Sequence, residues 1–319
     1  MELIFQILIF FTSIIILSVG SNVVVKSAEK FARITKLGDL VIGFIVLSIV
    51  TTTPELAISF SSITSGDIEI LISNLFGSNI TVISLVIGIA SIVSPITIVI
   101  RRKELKSLSL MVFLSSLLSL MFFWLGEIGK FVGIFLISTF FYFSYYSVKK
   151  KVTIQEIKEE LNTGKIYSTA LTLCLGIFIV MISARFVVIS TSNIADITGI
   201  KESVIGATII SFGCSIPEFS ITVTAAKKKK INLALGTAMG SCLTRLTLVL
   251  GVSLLLIPFI IDVTIFSTLI TFCLLSTILL WHFIGDGKIQ IKEGLILLLI
   301  YVFFILTTCG VQISMFVGT

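Results

Sequence analysis

Two glutamates follow a proline inside long apolar stretches, in Thr51-Thr52-Thr53-Pro54-Glu55 and in Cys214-Ser215-Ile216-Pro217-Glu218. A carboxylate in the middle of a membrane segment costs on the order of 3 kcal/mol, so an acid there is a candidate for binding or transport. Proline has no amide hydrogen and breaks the helical ladder, which releases carbonyls about four residues upstream. Around Glu55 these belong to Ser48 through Thr52, and around Glu218 to Ser211 through Ser215. The hydroxyls of Thr51, Thr52 and Ser215 add further hard oxygens. The next apolar segment of each half brings Gly77-Ser78 and Gly240-Ser241, where glycine permits close helix approach and serine reaches a cavity. Carboxylates, carbonyls and hydroxyls suit Na+ and Ca2+, whereas softer metals call for His or Cys, and Cys214 is one soft intrusion. Taken singly, each proline reads equally as a kink and each serine as an interhelical hydrogen bond. The pairing of two carboxylates makes a cation site the better reading.

The elements that must position these residues are membrane helices. Of the 319 residues 56% are apolar and 13% charged, and the mean hydropathy is +1.17, which excludes a soluble globule with one ordinary core. Ten apolar runs are each long enough to cross about 30 Å of hydrocarbon as a helix. They lie near Leu3 to Val25, Leu40 to Ser62, Ile70 to Val93, Leu108 to Leu125, Val132 to Val148, Tyr167 to Ile189, Ser203 to Ala226, Leu233 to Ile257, Ile265 to Ile284 and Leu295 to Val317. Met1-Glu2 leads into the first run without a basic leader, so that span is expected to persist. The net charge of +6 raises the question of nucleic acid, but the lysines and arginines fall in alternate loops. Lys26, Lys30, Arg33 and Lys36 mark the first loop, Arg101 to Lys106 the third, Lys149 to Lys165 the fifth, Lys227 to Lys230 the seventh, and Lys288 and Lys292 the ninth. By the positive-inside rule these loops are cytoplasmic and both termini are extracellular, in a multi-pass protein of the cell membrane. The partners expected are inorganic cations and the lipid bilayer, with no nucleic acid.

Cys174, Cys214, Cys242, Cys273 and Cys309 all sit in apolar segments without CxxC spacing or histidine partners, so neither a disulfide framework nor a zinc site is expected. His282, beside Trp281 near a helix end, reads as interfacial. No Walker-type loop occurs, which argues against transport driven directly by ATP. No cofactor is expected, and the chain does not read as an enzyme.

Glu218 lies 163 residues after Glu55, and the same offset aligns the two halves without a gap. Gly43 matches Gly206, Ser48 matches Ser211, Gly77 matches Gly240, Ser78 matches Ser241, Thr81 matches Thr244 and Gly88 matches Gly251; Pro54 pairs with Pro217 and Pro95 with Pro258. Duplication is the economical explanation. Five spans per half is an odd number, so the second half must enter the membrane inverted. The expected fold is an all-α integral membrane protein of ten transmembrane helices in two inverted five-helix repeats, residues 1–148 and 167–319, joined by a polar cytoplasmic linker at 149–166 that is able to form a short amphipathic helix. In such folds substrate binds at the repeat interface and access alternates between sides.

The segments Gly43 to Glu55, Asn74 to Asn79, Gly206 to Glu218 and Gly240-Ser241 resemble the two alpha-repeats of the cation/Ca2+ antiporter superfamily, and most closely the compact prokaryotic Na+/Ca2+ exchangers. The resemblance covers nearly the whole chain. It implies that the second, third, seventh and eighth helices surround the ions while the long first and sixth helices slide. It also implies a site at Ser48, Thr51, Thr52, Glu55 and Ser78 in the first half and at Ser211, Cys214, Ser215, Glu218 and Ser241 in the second, with Ca2+ and Na+ competing for the glutamates.

The family pattern places Asn or Asp four residues after each serine, and here those positions are Val82 and Arg245. Thr237 replaces an Asn of the family, and Cys214 replaces a hydroxyl residue. Four residues is one helical turn, so Arg245 is expected on the inward face with Ser241. A guanidinium offers five donors and no acceptor, repels cations and pairs with carboxylates, so pairing with one glutamate lowers the formal site charge from minus two to minus one. Three readings follow: a structural arginine pairing outside the site, a tethered cation that replaces one transported ion, or an inactive or regulatory relative. The functional reading is secondary antiport of cations, Ca2+ against Na+, with proton-coupled or altered-stoichiometry exchange as the nearest alternative. An intramembrane acid protease is disfavoured because a dyad has no use for inverted repeats or a hydroxyl ladder. A channel is disfavoured because one central site suits alternating access.

Overall fold

The computed structural model describes residues 2–34, 48–94, 96–97, 102–124, 129–149, 163–257 and 263–317. Gly43, Pro95, Pro258 and most of the 149–166 linker therefore lie outside the described residues. So does the start of the expected second span.

The described chain is almost entirely helical. The first half holds α1 (Glu2–Ile34), α2 (Ser48–Thr51), α3 (Thr53–Ser65), α4 (Ile68–Ile80), a wider π-type turn at Thr81–Val86, α5 (Ile87–Val93), α6 (Arg102–Trp124) and α7 (Lys130–Lys149). The second half holds α8 (Thr163–Thr198), α9 (Glu202–Ile205), a π turn at Gly206–Ile210, α10 (Ser211–Cys214), α11 (Ile216–Lys227), α12 (Ile231–Thr244), a π turn at Arg245–Val249, α13 (Leu250–Leu256), α14 (Val263–Asp286) and α15 (Ile291–Val317). Two short strands, β1 (Ile96–Thr97) and β2 (Lys288–Ile289), pair antiparallel and tie the two halves together at one end.

Among the described residues six helices are long and apolar enough to span a bilayer, and the bent pair Glu202–Cys214 and Ile216–Lys227 makes a seventh. Leu105–Ser119 and Lys130–Tyr145 are apolar but shorter. Two long helices outrun their hydropathy. The first span was expected to end at Val25 and α1 continues to Ile34; the sixth was expected over Tyr167 to Ile189 and α8 covers Thr163–Thr198. Polar residues such as Thr191, Ser192, Asn193 and Asp196 lower local hydropathy without ending a helix.

The short elements α2 to α5 and α9 to α13 form the centre. Around them α1 packs along α8, α6 along α14, α5 against α15 and α13 against α7, so the last helix of each half is used by the other half. Apolar clusters hold this arrangement, three of them large. Val82, Ile83 and Val86 meet Met239, Cys242 and Leu243 in one, Leu75 and Phe76 meet Leu246 and Phe304 in a second, and Phe10, Ile14 and Leu17 meet Val180 and Val187 in a third. Ile4, Leu8, Phe11 and Ile15 on α1 and Leu171, Leu175, Phe178 and Ile182 on α8 are exposed at helical spacing. In a bilayer such apolar faces meet lipid.

Backbone geometry repeats with the sequence offset. Thr52 (φ −82°, ψ 6°) and Ser215 (φ −83°, ψ −1°) break their helices in the same way. Asp67 (φ −86°, ψ 63°) and Lys230 (φ −86°, ψ 64°) precede α4 and α12 in one conformation. Gly66 at φ 90° has its counterpart in Lys229, whose φ of 56° is unusual for a residue with a side chain. The repeat is thus carried by φ and ψ even where the residue type has changed.

Candidate functional site

Each Pro-Glu segment starts a new helix after a one-residue break, with proline in the first turn, where its missing amide costs nothing. Glu55 and Glu218 therefore lie in the first turns of α3 and α11, and both are fully buried. Between them stands Arg245, also fully buried. Its Nε donates to Glu55 Oε1 at 2.8 Å, its Nη2 lies 2.7 Å from the same oxygen and donates to Glu218 Oε1 at 2.5 Å, and its Nη1 donates to Ser241 Oγ at 3.3 Å. Ser241 and Arg245 share the inward face one turn apart, as their spacing requires. The guanidinium pairs with both carboxylates at once.

The second oxygens, Glu55 Oε2 and Glu218 Oε2, have no hydrogen-bond partner. A buried, unpartnered carboxylate oxygen is costly, and a cation is one way to satisfy it. Among described buried residues the charged ones are Glu55, Glu218 and Arg245, which sum to minus one.

Most of the hydroxyls around them donate to backbone carbonyls, and that of Thr51 also lies beside the Glu218 carboxylate. Thr51 donates to Ser48 O at 3.3 Å, Thr52 to Ile49 O at 2.9 Å and Thr53 to Val50 O at 2.7 Å. Ser215 donates to Ser211 O at 2.7 Å, Ser211 to Ala207 O at 2.5 Å, and Ser241 to Ala238 O at 3.0 Å. The carbonyls of Ser48 and Ser211 also accept amides, from Thr52 at 3.2 Å and Ser215 at 3.1 Å, whereas the carbonyls four residues before the prolines belong to Val50, which takes the Thr53 hydroxyl, and to Gly213. What each hydroxyl keeps is its lone pairs, an arrangement that suits a cation and offers nothing to an anion.

Further hydrogen bonds join the halves near the centre. Thr244 Oγ1 reaches Ser48 Oγ at 3.4 Å, and Ser78 Oγ reaches Ser211 O at 3.5 Å while also bonding Asn74 Oδ1 at 3.3 Å. Asn79 Nδ2 meets the carbonyl of its own repeat counterpart, Cys242, at 3.5 Å. Cys214 is buried close to Asn74, and Val82 is packed into an apolar cluster. Asn74 Nδ2 and Thr237 Oγ1, at equivalent places in α4 and α12, lack partners. Sequence reasoning assigned no site role to Asn74 or Thr244, although Thr244 was visible as a repeat match of Thr81. Their contacts depend on how α4 and α12 cross the opposite half.

Close approach at that crossing needs glycine at two places. A Cβ on Gly77 would overlap the backbone of Ala207, and one on Gly206 would overlap Ser73 Oγ.

The profile of the sodium/calcium exchanger protein family matches residues 5–149 and 168–310. The chain is 29% identical to the sodium/calcium exchanger MaX1 of Methanosarcina acetivorans, over 93% of this chain and 97% of that protein. It is 27% identical to the inner membrane protein YrbG of Escherichia coli, over 76% and 79%. Its fold is similar to that of the sodium-calcium exchanger NCX_Mj soaked with Na+, with a TM-score of 0.69, 26% identity, and 94% of this chain and 98% of that chain covered.

Proposed function

The chain belongs to the sodium/calcium exchanger family of multi-pass membrane transporters, which are not enzymes, and from that premise we propose that it is a secondary-active cation antiporter in which Arg245 replaces one bound ion. The observation that carries this reading is the guanidinium held between Glu55 and Glu218. MaX1 and NCX_Mj are named for exchange of Na+ and Ca2+. Here each glutamate has one oxygen on Arg245 and one left for a cation.

In this reading the chain has ten spans in two inverted five-helix repeats, 1–148 and 167–319, with the linker cytoplasmic and both termini outside. The reciprocal packing of α5 on α15 and α13 on α7 supports the inversion, as do the matching breaks at Thr52 and Ser215. Ser48, Thr51, Thr52, Ser78, Ser211, Cys214, Ser215 and Ser241 line the ion path, and the α1 and α8 pair moves against the centre to alternate access. Na+ is one of the exchanged ions.

The test is uptake of radioactive Na+ by the full chain in proteoliposomes. Saturable uptake that requires a counter-cation inside, and that is lost in Glu55→Gln and Glu218→Gln, is expected. Uptake that never saturates would make it a channel, and no flux under any cation gradient would overturn the reading.

A further inference from the structure

We infer that the site carries one monovalent cation at a time and that exchange is electroneutral, with divalent cations excluded while Arg245 bridges the glutamates; this rests on the antiporter reading and narrows its substrate class. The argument is a charge count in a place where net charge is expensive. Glu55, Glu218 and Arg245 are fully buried, and they are the charged groups buried among the described residues. They sum to minus one. A net charge held away from water carries a penalty of several kcal/mol, so the loadings that leave the site neutral are those that cross the membrane readily.

A single Na+, K+ or proton brings the site to zero. An empty site stays at minus one, and a site holding a divalent ion would stand at plus one. The same count that admits a monovalent ion rejects a divalent one.

Buried oxygen atoms are available to that ion. Glu55 Oε2 and Glu218 Oε2 are buried and without partners. Thr237 Oγ1 on α12 is likewise unpartnered, and Ser241 Oγ, whose proton goes to Ala238 O, accepts from Arg245 Nη1. Arg245 holds the other oxygen of each carboxylate and lowers the site charge. Its position at the start of the π turn Arg245–Val249 aims the side chain between α3 and α11.

One positive charge leaves for each that enters, so the cycle moves no net charge. A cycle that moved one charge would shift its equilibrium gradient about fifty-fold for a potential of about 100 mV.

The experiment is radioactive Na+ uptake by proteoliposomes loaded with Na+, with K+ or at acid pH, at clamped potentials, with and without external Ca2+. Three results are expected. Uptake needs a monovalent counter-cation, the loading that works best naming it. The gradient reached does not follow the clamped potential. Excess Ca2+ slows uptake by less than about twofold in the native chain and by about tenfold or more in Arg245→Gln. Accumulation of Ca2+ by the native chain against a Na+ gradient would overturn the inference, as would a Na+ gradient that follows the potential, and both would leave the antiporter reading standing. Absence of any cation flux would instead remove that reading and the inference with it.

Discussion

The two Pro-Glu regions share a backbone and differ in chemistry. Thr52 and Ser215 turn the chain through the same angles, and prolines occupy the same first-turn positions after them. The π turns at Thr81–Val86 and Arg245–Val249 follow α4 and α12 and end at positions related by the repeat offset. Yet the turn that holds Val82 in an apolar cluster on one side holds Arg245 between two carboxylates on the other. Duplication thus supplies a symmetric scaffold, and one side chain breaks its electrostatic symmetry. A single substitution is enough because the three charged side chains are fully buried, so one formal charge changes the whole count.

Removing that side chain should have the largest effect. Arg245→Gln leaves two buried carboxylates facing each other, and breaking a buried pair in this way costs about 3–5 kcal/mol. A cation can supply what the guanidinium did. The unfolding temperature of the purified variant in detergent should fall in buffer without Na+ or Ca2+ and recover when Ca2+ is added, whereas the native protein should show little response to Ca2+. In Arg245→Asp with Val82→Asn, which puts an acid and an amide one turn after the two serines, calorimetry should detect Ca2+ binding stronger than in the native chain. Equal Ca2+ binding by the two proteins would mean that Arg245 does not control the site.

The glutamates provide the next comparison. Glu55 Oε1 takes contacts from both Nε and Nη2 of Arg245, and Glu218 Oε1 takes one from Nη2. Either Gln substitution brings the empty site to zero charge, so Na+ uptake should fall to background in both. Thermal stability should drop further for Glu55→Gln, by about 1 kcal/mol, because it loses one more charge-assisted contact. If Glu218→Gln retained uptake, the halves would not contribute equally to the ion.

Much of this was legible in the sequence for local reasons. The offset, the paired glutamates and the shared face of Ser241 and Arg245 depend on spacing along one helix or on identity between halves. The bridge from Arg245 to both glutamates was not legible, since it depends on how near α12 brings one long side chain to two helix starts from different halves. Nor were the hydroxyl bonds of Thr51, Thr52 and Thr53 to their own carbonyls, because the rotamer that decides them has no signature in residue type. The extra turns of α1 and α8 were missed because hydropathy measures the bilayer and these helices extend through polar residues beyond their apolar runs.

A smaller effect tests the crossing of the halves. Gly77 faces the backbone of Ala207, which cannot rotate away, while Gly206 faces a serine side chain, Ser73. Overpacking of this kind costs about 1–3 kcal/mol. Gly77→Ala should therefore destabilise however its neighbours are changed, and the loss from Gly206→Ala should shrink when Ser73→Ala is added. Thermal unfolding of the two single variants and the double variant reads this directly. An unchanged loss in the double variant would show that the close approach at Gly206 is made to backbone as well.

The smallest effect belongs to the outer helices, where α1 and α8 pair along their length. Arg185 of α8 donates from Nη1 to Thr64 Oγ1 at 2.8 Å and to Ser65 Oγ at 3.2 Å, at the C-terminal end of α3. A cation at a helix C-terminus is favourable, but this one is exposed, and such contacts contribute about 0.3–1 kcal/mol. Asn22 occupies the equivalent place on α1, so the two outer helices differ in charge as the two inner turns do. If α1 and α8 move as a pair against the centre, Arg185 links the moving part to the helix that carries Glu55. Arg185→Gln should then leave thermal stability within about 1 kcal/mol of native while changing the Na+ exchange rate several-fold. A rate that did not move would assign the contact to anchoring α3 alone and leave the asymmetry of the molecule to Arg245.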